Sequence, residues 1–73
     1  MVTSNSYERL TVNLTQKASA ALLATAEREE LNRTDVVNRA LQLYEYVSKL
    51  RDNGGELLAR ETPGGDVMLM RLI

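Results

Sequence analysis

Residues 7–15, YERLTVNLT, alternate strictly: Leu10, Val12 and Leu14 fall on one side, and Arg9, Thr11 and Asn13 on the other. That two-residue period predicts a half-buried strand, with same-side residues about 7 Å apart when extended. From Gln16 the period lengthens to that of a helix. Thr15 or a neighbour caps it, and it is expected to run to about Glu30 with Ala18, Leu22, Thr25 and Ala26 on one stripe and Leu31 closing it. Its alanines favour helix and permit close approach of another backbone. Either Glu30 or Asn32 occupies the position after the helix where glycine is commonest.

A second helix is expected to begin near Asn32 to Thr34, where N-R-T-D sets an amide three residues ahead of Asp35, a relaxed form of the capping box. It continues to about Asp52 and stops at Asn53-Gly54-Gly55. Val36, Val37, Ala40, Leu41, Leu43, Tyr44, Val47 and Leu50 cover more than one stripe of it. A face that wide, in a chain with two helices, needs a second partner, and another copy of the chain would supply one.

Beyond Gly55 the pattern changes again. Pro63-Gly64-Gly65-Asp66 is a strong turn signal between Leu57–Glu61 and Val67–Ile73, which predicts a β-hairpin. In the second limb Val67, Leu69 and Ile73 share one face, and Met68, Met70 and Leu72 the other. Such a strand is rarely left bare. The expected organisation is a flexible arm over residues 1–6, a strand–helix–helix unit over 7–53, and a C-terminal hairpin over 54–73. The fold class is therefore α+β.

Length sharpens the case for self-association. A chain of 73 residues buries only about 60% of its unfolded surface, and with no Cys and no His it has neither disulfide nor zinc-type staples. No apolar run approaches the ~18 residues of a membrane span, and no signal-peptide layout is visible, so a soluble, cytoplasmic protein is expected.

Charge alone argues mildly against a nucleic-acid partner, since the net value is −1 from nine basic and ten acidic residues. The distribution softens this. Up to Ala26 the only acid is Glu8, against Arg9 and Lys17, whereas Glu27, Glu29 and Glu30 cluster afterwards.

Catalysis has little to work with. Without His or Cys the common base and nucleophile pairings cannot be assembled, and Glu27, Glu29 and Glu30 diverge around a helix as a solvated face. No calcium-loop spacing or phosphate-loop pattern occurs, and the Gly54-Gly55 and Gly64-Gly65 pairs read as punctuation. Neither an enzyme nor a cofactor is expected.

Two copies of residues 7–15 paired antiparallel would form a ribbon with Leu10, Val12 and Leu14 packed inward and Arg9, Thr11 and Asn13 displayed twice. The major groove of B-DNA, about 12 Å wide, admits such a ribbon. Arg can donate twice to guanine, Asn can pair with adenine, and Thr can offer a hydroxyl or touch a thymine methyl. The start of the second helix, at Asn32, Arg33 and Thr34, offers unpaired N–H groups and the positive end of the helix dipole to a phosphate. Lys17 is a further phosphate candidate, and otherwise an ordinary surface lysine.

In these features the chain resembles the ribbon-helix-helix DNA-binding family of MetJ, Arc and CopG type. R-L-T-V-N-L-T is similar to the family's strand, and E-R-E-E-L-N-R-T-D-V-V-N-R-A-L to its turn and second helix. The likeness spans about residues 7–50. It implies an intertwined homodimer, base contacts from Arg9, Thr11 and Asn13, and phosphate contacts from the helix start at Asn32 to Thr34. Leu10, Val12 and Leu14 take its core positions. Leu22, Val37, Leu41 and Tyr44 are expected to complete the dimer core. Where the family often has Gly between the helices, this chain has Glu30.

The expected function is that of a DNA-binding transcriptional regulator, a repressor, with double-stranded DNA and a second copy as partners. Two other readings stand beside it. One is an antitoxin whose C-terminal segment holds a toxin protein; the other is a structural module that assembles through the hairpin. The lack of His and Cys argues against a nickel-sensing variant.

Overall fold

The computed structural model describes residues 7–71, so the arm assigned to residues 1–6 and the terminal pair Leu72 and Ile73 lie outside the described residues. Two helices come first, α1 (Gln16–Glu29) and α2 (Arg33–Asp52), followed by two short strands, β1 (Leu58–Arg60) and β2 (Val67–Leu69).

Thr15 starts α1 from an extended conformation, and its Oγ1 accepts from the Ala18 N–H at 3.0 Å. The helix stops because Glu30 turns left-handed, at φ 55° and ψ 46°. The Leu31 N–H then reaches back to the Ala26 carbonyl at 3.0 Å, satisfying one of the last-turn acceptors. A glutamate therefore occupies a glycine-type position, one residue past the helix, at a cost of about 1 kcal/mol. The turn is tight all the same, because Asn32 immediately caps α2 from the extended region, at φ −79° and ψ 169°.

At the far end of α2, Gly54 takes a φ of 80° and donates to the Arg51 carbonyl, and Gly55 donates to the Leu50 carbonyl at 2.8 Å. A Cβ at Gly55 would stand 2.6 Å from Leu50 Cδ1 and 3.0 Å from the Leu50 carbonyl oxygen, so a larger residue there would have to push the Leu50 side chain aside. The hairpin turn is built on Thr62-Pro63-Gly64-Gly65. The Gly65 N–H donates to the Thr62 carbonyl at 2.9 Å, and Gly64 has φ 79°, which matches a type II turn with Pro and Gly at its centre. The strands pair antiparallel with Leu58 opposite Leu69, Ala59 opposite Met68 and Arg60 opposite Val67. A bond from the Met70 N–H to the Leu57 carbonyl, 2.8 Å, adds one more rung.

Within the chain residues 7–15 form no strand, and the two-stranded β1–β2 sheet is the sheet found among the described residues. A strand requires a neighbour's N–H and C=O groups, and this segment meets none in its own chain. The apolar positions follow suit: Leu10, Val12 and Leu14 are 71%, 56% and 46% exposed. Only Val36 and Val47 are buried among the described residues, while Leu22, Thr25, Ala26, Leu31 and Leu50 are half-buried. Val37, Leu41, Leu43 and Tyr44 face solvent.

The chain exposes 7203 Å², against about 4,500 Å² for a folded monomer of 8.2 kDa. Its radius of gyration is 15.3 Å, against about 11 Å for a compact globule of this length. Helices and hairpin are locally well formed, yet their apolar faces are largely unmet. No described helix is long and apolar enough to cross a membrane.

Candidate nucleic-acid interface

The polar row of residues 7–15 is presented openly. Arg9, Thr11 and Asn13 are all exposed, and no ion pair holds Arg9 among the described residues. Alternation places them opposite Leu10, Val12 and Leu14 wherever the segment is extended. Leu14 lines an apolar groove between the helices, along with Leu22, Leu31, Val37, Ala40 and Leu41. The groove is roofless. Glu29 and Arg39 also line it, a pair of opposite charges not singled out in the sequence, where nothing in their spacing relates a helix end to the middle of the next helix.

The start of α2 has the geometry expected of it. The Asn32 Oδ1 accepts from the Asp35 N–H at 2.8 Å, and the first backbone bond runs from the Val36 N–H to the Asn32 carbonyl at 3.2 Å. That leaves the N–H groups of Arg33 and Thr34, the first two residues of the helix, without an acceptor among the described residues. The reciprocal half of a capping box, from the Asp35 carboxylate to the Asn32 N–H, is not formed, because aspartate is one methylene shorter than the usual glutamate.

Asn38 was not foreseen from the sequence. Its Nδ2 donates to the Thr34 carbonyl at 2.8 Å and so braces the first turn that carries Arg33 and Thr34. The signal was present as an amide four residues after Thr34, the spacing that brings helix neighbours together.

Electrostatically the site is mixed. The dipole and Arg33 favour an anion, while Asp35 in the first turn and Glu30 at the preceding corner oppose it. Lys17 lies in the first turn of α1 and is exposed, in a different helix from the Arg33–Thr34 pair. Chemically the start of α2 carries two backbone N–H donors on residues whose side chains are a guanidinium and a hydroxyl, and residues 7–15 carry a separate row of hydrogen-bonding side chains. No group of three or more His, Cys, Asp or Glu residues among the described residues could hold a metal.

The chain was compared with protein-family models, curated proteins and solved structures, and none of them matches it.

Proposed function

We propose that the chain is a sequence-specific DNA-binding regulator, a repressor, acting as a homodimer of ribbon-helix-helix type. The observation that carries this reading is the state of residues 7–15. An apolar row lies open to solvent on the same stretch whose other side offers Arg9, Thr11 and Asn13. Paired antiparallel with its copy, the segment would gain the backbone partners it lacks and close Leu10, Val12 and Leu14 over the open groove between α1 and α2. Leu22, Val37, Leu41 and Tyr44 would be covered in the same step. Exposed apolar side chains along residues 7–15 and both helices supply the surface an obligate dimer would bury.

In this assembly Arg9, Thr11 and Asn13 of both chains would enter the major groove and read base edges. Arg33 and Thr34, at the two α2 starts, would donate to the flanking phosphates, with Asn32 fixing their geometry and Lys17 adding charge. Base discrimination and overall grip then reside in different residues. DNA also places the protein in the cytoplasm in this reading.

The test is selection of bound duplexes from a random pool, followed by fluorescence anisotropy across salt. A short palindromic or repeated site should emerge, with affinity falling steeply as salt rises. Absence of salt-sensitive binding at about 50 mM salt would sink the DNA reading.

A further inference from the structure

We propose that the C-terminal hairpin is a self-pairing edge, at which β1 of one chain adds antiparallel to β1 of a second copy and forms a four-stranded sheet. This does not rest on the DNA reading, and would hold whatever residues 7–15 do.

The backbone bonds of the hairpin decide which edge is free. Because the Met70 N–H donates to the Leu57 carbonyl, residues 57 and 59 direct their polar backbone groups towards β2. By alternation, Leu58 and Arg60 turn theirs outward, along the free edge of β1. No proline or bulge blunts that edge, and Leu58 at its centre is 57% exposed. An isolated two-stranded hairpin is marginal in water, whereas three or more strands are stable.

Charge then selects a second copy and a register. With Leu58 opposite Leu58 of the copy, two-fold symmetry sets Glu56 of each chain opposite Arg60 of the other, on one face, as long as the alternation carries back to Glu56. Neither residue has an ion-pair partner among the described residues of its own chain. Sliding by two residues in one direction would place Arg60 against Leu58, and by four would place Arg60 against itself. β2 has no equivalent solution: Asp66 and Arg71 lie five residues apart, on opposite faces, so no symmetric pairing of β2 with itself sets them opposite each other. In the assembled sheet the face holding Leu58 also gathers Leu69 and Val67 from each chain, turning two exposed apolar pairs into one continuous layer.

The chain has no cysteine, so a single introduced thiol reports this register cleanly. Leu58→Cys should cross-link two full-length chains under mild oxidation, since opposite residues in a hydrogen-bonded antiparallel pair lie about 5.5 Å apart, within disulfide reach. Val67→Cys, on the same face but an outer strand, should not, because its copies would be about 14 Å apart across three strand spacings and about as far again along the strands, roughly 20 Å in all. In the Leu58→Cys background, Glu56→Arg or Arg60→Glu alone should lower the yield about three- to tenfold at fixed protein concentration, and the two together should restore it. Equal cross-linking at 58 and 67, no cross-link at 58, or failure of the double exchange to rescue would each overturn the proposal. The assay contains no DNA, so its failure leaves the DNA reading untouched.

Discussion

The Oδ1 of Asn32 accepts from the N–H of Asp35 at 2.8 Å, and this one bond sets which donors of α2 are left over. It takes the third N–H of the helix and leaves those of Arg33 and Thr34 facing outward. The cap and the proposed phosphate site are thus the same piece of structure, and substitutions can separate them. Asn32→Ala should cost about 1 kcal/mol of stability through loss of the cap. Asn32→Asp should keep the cap and the stability but weaken DNA binding, since it sets a carboxylate where a phosphate would approach. Denaturant unfolding alongside anisotropy distinguishes the two; equal binding by the aspartate variant and the parent chain would remove the phosphate role.

Arg9 and Asn13 are exposed, and their side chains make no hydrogen bond or ion pair among the described residues, so their removal should leave stability within about 0.5 kcal/mol of the parent. On the proposed function, Arg9→Ala or Asn13→Ala loses about 1–3 kcal/mol of discrimination between the selected site and a scrambled one. Arg33→Ala should instead weaken binding to both duplexes alike and reduce the salt slope by about 1. Competition titrations with the two duplexes give both quantities. If Arg9→Ala weakened both equally, Arg9 would be a backbone contact and not a reader of bases.

Leu41 is 57% exposed in the single chain. Were the chain to function alone, Leu41→Ala would change stability by less than about 0.5 kcal/mol. Buried at the interface of a dimer, it should cost about 2 kcal/mol or more, and the unfolding midpoint of the parent should rise with protein concentration. Thermal melts over a hundredfold range of concentration make the comparison, and a flat midpoint would count directly against the homodimer.

Glu30 holds a φ of 55° at the corner between α1 and α2. Glu30→Gly relieves the left-handed strain and should stabilise the fold by about 1 kcal/mol, or roughly 4–8 °C in Tm for a domain of this size. The same change removes an acid beside the start of α2, so affinity for all duplexes should increase together. Calorimetry and anisotropy on one variant read both effects; a lower Tm would show that the carboxylate makes a compensating interaction.

Local signals in the chain foretold local structure well. Thr15, Asn32, Gly54 and the Pro63-Gly64 turn act within three to five residues of themselves, through caps, a left-handed φ and a turn bond, so α1, α2 and the hairpin appear close to where their patterns place them. The observed α1 ends one residue earlier than expected because Glu30 is the corner itself. Asn38 escaped notice because a helical asparagine has many equivalent uses, and only the folded first turn shows which carbonyl it meets.

The alternation of residues 7–15 lies at the border between the two kinds of information. By itself the sequence determines two faces, Leu10, Val12 and Leu14 against Arg9, Thr11 and Asn13, since side-chain direction in an extended chain follows from covalent geometry alone. Whether those faces are buried was decided only in three dimensions, because burial and strand pairing need neighbours that are distant along the chain. Tertiary structure leaves the apolar row open, leaves the groove between α1 and α2 open beside it, and covers only Val36 and Val47 among the described residues. A pattern can specify what a surface is made of, but the free energy of covering it depends on what lies against it.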